Sequence, residues 1–111
     1  MILAIDIGNS NIVLGCIEGK TIAKEARIAT DLIKTSDQYM AELKNMLDLF
    51  EIPIASIEGS IISSVVPPLD HAIRRAVKKV TGAAPLIVGP GTRTGINIRI
   101  DNPAQLGADP L

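Results

Sequence analysis

Aromatic residues are almost missing from this chain: 111 residues contain no tryptophan, one tyrosine (Tyr39) and one phenylalanine (Phe50). Any core must therefore be aliphatic, built from Ile, Val, Leu and Ala within an apolar content of 47%. A single cysteine, Cys16, excludes a disulfide framework and a cysteine metal site, and its apolar surroundings predict burial. Charge of one sign is also lacking. Eleven basic against twelve acidic residues leave a net charge of −1, which gives no electrostatic case for nucleic acid or an anionic membrane. No apolar run approaches the roughly 18 residues of a membrane span, and Met1 leads into a strand without a basic leader region. The composition reads as a soluble cytoplasmic protein, one domain's worth of chain and long enough to bury a core.

The chain is richest in information at its start. Two apolar runs, Ile2 to Ile7 and Ile12 to Ile17, flank the polar knot Gly8-Asn9-Ser10-Asn11. Short β-branched runs joined by Gly and Asn predict a β-hairpin. Gly8 lets the backbone turn so that successive N–H groups face one concavity, a geometry that binds phosphate oxygens. Asp6 would repel a bare phosphate, so a carboxylate there suits Mg²⁺ or its waters beside the phosphates. Taken alone, a Gly-Asn turn is equally a plain hairpin closure, and these residues leave both readings open.

Further along, Glu18-Gly19-Lys20 predicts a second tight turn into an outer strand, Thr21–Ala29, which completes an antiparallel meander. Residues 30–34 are a connection. Thr35 and Gln38 have the spacing of a capping box. Tyr39, Leu43, Met46, Leu47 and Phe50 follow at helical spacing, predicting a helix of about 14 residues that Pro53 helps to end. A strand is expected over Ser60–Val66. Pro68 then suits the first turn of a second helix, with Leu69, Ala72, Ile73, Ala76, Val77 and Val80 on its apolar face and Gly82 as its C-cap. Arg74, Arg75, Lys78 and Lys79 form the opposite face, either solvated or a partner surface, and His71 reads as a surface or capping residue. Leu86-Ile87-Val88 is a short strand, residues 89–95 a turn, and Ile96, Ile98 and Ile100 alternate with polar residues as a half-exposed strand. Three antiparallel strands followed by helical crossovers predict an α/β fold with a mixed sheet whose faces are covered by helices.

The wording DIGNSN at positions 6–11 resembles the first phosphate motif of the acetate kinase, sugar kinase, Hsp70 and actin superfamily, in which a hairpin holds the nucleotide phosphates. It is most similar to type III pantothenate kinases. Further resemblance lies in ISSVVPP at 62–68, VGPGTRTGINI at 88–98 and DNPAQLGAD at 101–109. The resemblance implies a ribonuclease H-like half-domain of order βββαβαβ with a mixed five-stranded sheet flanked by helices. It implies ATP-dependent phosphorylation of pantothenate to 4′-phosphopantothenate, the first step of coenzyme A biosynthesis. ATP would be bound by Asp6, Ile7, Gly8, Asn9, Ser10, Asn11, Ile12 and Val13, with Asp6 also serving Mg²⁺. Gly107, Ala108 and Asp109 would line the pantothenate site, and Asp109 would be the general base. A monovalent cation, K⁺ or NH₄⁺, is implied with its ligand outside this chain, as is a homodimer at full length. Two departures stand out: Pro110 replaces an arginine of the family pattern, and Ile100 replaces an aromatic residue found in many members. The expected organisation is one N-terminal ATPase-type half-domain, residues 1–111, without the C-terminal half of the family fold. A non-catalytic phosphate- or nucleotide-binding half-domain, or an association module, is the alternative.

Overall fold

The computed structural model describes residues 1–89. Strand β1 (Ile2–Ile7) pairs antiparallel with β2 (Asn11–Glu18), and β2 pairs antiparallel with β3 (Thr21–Ala29). The chain then forms helix α1 (Ser36–Leu49), a single 3₁₀ turn (Ile54–Ser56), strand β4 (Gly59–Ser64), helix α2 (Pro67–Thr81) and strand β5 (Leu86–Val88). Strands β4 and β5 add in parallel beside β1, giving one five-stranded sheet of order β3-β2-β1-β4-β5. This is the expected mixed α/β architecture, read through its fifth strand. The half-exposed strand expected over 96–100 and the turn preceding it lie outside the described residues, apart from Gly89.

Alternation divides the sheet into two faces. Leu3, Ile5 and Ile7 of β1 with Ile12, Leu14 and Cys16 of β2 face the helices, where Tyr39, Leu43 and Leu47 of α1 and Leu69, Ile73, Ala76 and Val77 of α2 meet them. Each fully buried Ile or Leu contributes about 1.5–3 kcal/mol by leaving water. Both helices share this one face, whereas the sequence suggested helices covering the sheet on its faces. The opposite face carries a smaller apolar cluster, Ala4 and Val13 with Ile17 and Ile22 packed against them. The outer strand β3 is largely wet, and a register shift opposite Cys16 and Ile17 interrupts its ladder.

The ends of the elements follow local chemistry. Thr35 accepts from the Gln38 N–H at 3.2 Å while Gln38 Oε1 accepts from the Thr35 N–H at 2.8 Å, the reciprocal capping box. Helix α1 ends four residues before Pro53. Glu51 takes a left-handed φ of 60°, its N–H bonds the Asp48 carbonyl, and the Ile52 N–H bonds the Leu47 carbonyl at 2.9 Å. That pair of bonds is a Schellman closure, with buried Ile52 and Leu47 as its apolar contact. Strand β4 stops two residues short of the expected Val66, because Ser64 Oγ accepts the Val66 N–H at 2.9 Å and turns the chain into α2. Gly82, at φ 83°, closes α2 as anticipated.

Candidate functional site

Strands β1, β4 and β5 run parallel, so their carboxyl ends (Ile7, Ser64 and Val88) open toward one end of the sheet. Ligands of open α/β sheets bind outside the carboxyl ends of such strands. The loop Gly8-Asn9-Ser10 emerges there from β1, and the Val65 N–H donates to the Ile7 carbonyl at 3.0 Å, fastening the start of the β4–α2 connection beside it. Asp6 lies one residue back on β1, in register with Val13 of β2 and Ser63 of β4. It is half-buried on the sheet face away from the helices, opposite in sense to Ile5 and Ile7. The sequence motif thus becomes one small region in which a carboxylate adjoins a loop of backbone dipoles.

The loop is held from behind. The Gly8 N–H bonds the Asn11 carbonyl at 2.9 Å and closes the hairpin. Thr30 supplies two further bonds: its Oγ1 donates to the Gly8 carbonyl at 2.7 Å and its N–H to the Ser10 carbonyl at 3.0 Å. With those carbonyls engaged, the N–H groups of Asn9 and Ser10 have no hydrogen-bond partner among the described residues. Such donors are what an anion site requires. Thr30 was not singled out by the sequence, where it opens a connection. The signal available was register: pairing of Asn11 with Ala29 sets the residue that follows β3 opposite the loop.

Thr30 is itself anchored. The Asp31 N–H donates to Tyr39 Oη at 3.1 Å, and Tyr39 Oη donates back to the Asp31 carbonyl at 2.7 Å. Tyr39 is buried in the core from α1, and Lys34 lies 5.5 Å from its ring centroid while pairing with Glu42. That hydrogen bond with Glu42 raises the Lys34 ammonium above its ordinary range. Burial pushes the Cys16 thiol up, against a smaller opposing pull from the N-terminal ammonium. Cys16 faces the helix side and belongs to the core.

Among the expected ATP-binding residues, Asp6, Gly8, Asn9, Ser10 and Asn11 are brought together at this sheet end. Ile7 and Ile12 are buried in the main core and Val13 in the smaller cluster, so what they offer a ligand is backbone. Gly107, Ala108 and Asp109 lie outside the described residues. Among the described residues no group of three or more His, Cys, Asp or Glu converges as a metal site, which leaves Asp6 as a single carboxylate. One carboxylate beside amides that lack a partner among the described residues would suit a divalent cation that keeps most of its waters, rather than an all-protein cage. Among the same residues no helix is long and apolar enough to cross a membrane.

Comparison with known proteins agrees with this geometry. The family model described as type III pantothenate kinase matches residues 2–111. Type III pantothenate kinases of an Exiguobacterium species and of Halalkalibacterium halodurans are 41% and 42% identical over 109 residues. That alignment covers 98% of this chain and 43% of each relative, so the chain spans less than half their length. Among solved structures, a ROK hexokinase from Thermus thermophilus superposes with a TM-score of 0.61 at 14% identity, over 79% of this chain and 34% of the hexokinase. The RuvC of Thermus thermophilus superposes at 0.53 and 16% identity, over 97% of this chain and 70% of RuvC. At such identities these two speak for the fold alone, a ribonuclease H-like mixed sheet flanked by helices. With the family match running over residues 2–111 and two relatives above 40% identity, the chain belongs to the type III pantothenate kinase family.

Proposed function

We propose that this chain carries the phosphate-binding half of an enzyme that phosphorylates pantothenate with ATP, giving 4′-phosphopantothenate at the first step of coenzyme A biosynthesis. The observation that carries the reading is the pinned hairpin: two carbonyls held by Thr30, N–H groups at Asn9 and Ser10 without a partner among the described residues, and Asp6 beside them at the carboxyl end of β1. Phosphoryl transfer needs the nucleophile in line, charge neutralised and a carboxylate able to accept the hydroxyl proton. The loop amides of Asn9, Ser10 and Asn11 bind and orient the phosphates. Asp6 would hold the magnesium ion, which would supply charge neutralisation for the transfer. Gly107 and Ala108 line the pantothenate site. Asp109 takes the proton as the primary hydroxyl oxygen bonds to the γ-phosphorus and the bond to the departing ADP oxygen breaks. A monovalent cation, K⁺ or NH₄⁺, a full-length homodimer and a cytoplasmic location belong to the same reading, with no role for nucleic acid or membrane.

A second reading is favoured by one observation, the span of 43% of the relatives' length. Under it, the 111 residues bind nucleotide phosphates without turnover. The test is pantothenate-dependent ADP release with Mg-ATP and potassium, run beside an Asp109→Asn preparation, with calorimetry of Mg-ATP binding on both. Release that the mutant lacks, with binding retained, supports the kinase and the role of Asp109. Binding without release supports the second reading. Absence of heat at millimolar Mg-ATP removes both.

A further inference from the structure

We propose that Thr30 is a positioning residue for the phosphate hairpin, a role that rests on the phosphate-binding reading of the loop. A trans peptide is planar, with its C=O and N–H pointing in opposite directions. Holding the Gly8 carbonyl therefore aims the Asn9 N–H away from Thr30, and holding the Ser10 carbonyl aims the Asn11 N–H away as well. A single residue thus sets two of the peptide planes that span the loop. The Gly8 N–H bond to Asn11 closes the hairpin but leaves the Gly8–Asn9 peptide free to rotate, so the threonine hydroxyl is what fixes that plane. The clamp does not float: the Tyr39 hydroxyl grips both the N–H and the carbonyl of Asp31, the next residue, and Tyr39 is 3% exposed within the main core. Rigid packing of α1 on the sheet is in this way transmitted through three residues to amides at the sheet end. Preorganised donors bind charge without reorganising when it arrives.

Because the bond is made by the hydroxyl, Thr30→Val removes it while keeping size and β-branching, and Thr30→Ser keeps it. The experiment combines two readouts on the 111-residue chain: backbone ¹⁵N order parameters of Asn9, Ser10 and Asn11 without ligand, and Mg-ATP affinity by calorimetry. Wild type is expected to show loop order parameters near the rigid value of about 0.85; in Thr30→Val that of Asn9 falls toward about 0.6 while Asn11, whose peptide the Thr30 N–H still holds, stays rigid, and Thr30→Ser restores Asn9. Mg-ATP affinity is expected to weaken roughly three- to tenfold in Thr30→Val, the worth of one hydrogen bond, and to return in Thr30→Ser. Unchanged order parameters in Thr30→Val overturn the proposal whatever the affinity does. A loosened loop with unchanged affinity overturns it too, as does a serine variant as impaired as the valine one. If wild type itself fails to bind Mg-ATP, the phosphate reading of the loop falls and Thr30 loses its functional role, even where the order parameters show that it clamps the loop.

Discussion

Substituting Gly8 by alanine separates a phosphate loop from a plain hairpin closure. A Cβ at position 8 would lie 3.1 Å from the Asn11 carbonyl oxygen, so the neighbour must give by a few tenths of an ångström. That oxygen cannot move freely, because it accepts the Gly8 N–H at 2.9 Å in the bond that closes the hairpin. Retreat lengthens this bond, and losing its net worth costs about 0.5–1.5 kcal/mol. Alanine reduces the entropy of the unfolded chain and returns about 0.4–1 kcal/mol. Stability of Gly8→Ala therefore changes by no more than about 1 kcal/mol. Binding behaves differently, since relief of the same contact by a shift of residue 8 moves the Gly8–Asn9 peptide, which carries the Asn9 N–H. A hydrogen bond to a charged partner is worth about 1.5–3 kcal/mol, so misaiming one donor weakens Mg-ATP binding by about tenfold or more. Urea denaturation reads the first quantity and calorimetry the second. A Gly8→Ala chain that binds Mg-ATP as tightly as wild type would refute the assignment of this loop to phosphate.

Two further predictions concern the scaffold. Glu51 is exposed and holds a left-handed φ of 60° at the end of α1, so Glu51→Gly relieves strain. The gain is about 0.5–1 kcal/mol after the entropy of glycine is counted, a melting temperature higher by about 2–8 °C, and a lower melting temperature would contradict the Schellman assignment. The thiol of Cys16 is raised from its ordinary 9.0 by burial, so its folded value exceeds its unfolded one. The associated stability is complete below that ordinary value and is lost as pH climbs through the folded one. Urea midpoints should accordingly fall between pH 8 and pH 10, and less so in Cys16→Val, while thiol reagents at pH 7 should modify Cys16 only as fast as the chain opens.

The parts of this fold that were legible in the sequence are those written in periodicity and local chemistry. Tyr39, Leu43 and Leu47 at helical spacing, Thr35 with Gln38, and Gly82 after an apolar face each specify an element or its end without reference to the rest of the molecule. Asp6 to Asn11 were legible as a possible site because one short stretch carries both the turn and the carboxylate. What escaped notice depends on distant partners. The end of α1 is set by Glu51 adopting a conformation that sequence does not favour, so Pro53 looked responsible. Both helices lie on one face of the sheet through the joint packing of α1 and α2 in a shared core, which no single amphipathic pattern reveals. Thr30 becomes part of the site only through pairing of β2 with β3, twenty-two residues from the carbonyl that its hydroxyl holds.

The N-terminus of α2 opens at the same end of the sheet. Helix N-termini bind anions because their first N–H groups lack intrahelical partners. In α2 that capacity has been removed residue by residue. Pro67 and Pro68 open the helix and have no N–H to give. The Leu69 N–H donates to the Val66 carbonyl at 3.0 Å, and the next residue, Asp70, brings a negative side chain into the first turn. The prolines suit the helix well, since their fixed φ starts it and the missing donors were unpaired in any case. Among the described residues, the N–H groups of Asn9 and Ser10 in the hairpin beside it have no partner. A helix N-terminus presents its amides along one axis, whereas the Gly8–Asn11 loop spreads them around a turn whose orientation is set by β3 and α1 through Thr30 and Tyr39. Under the proposed function, phosphate recognition at this end of the sheet falls to the loop that Thr30 holds, because the first turn of α2 has no free backbone donor to give it.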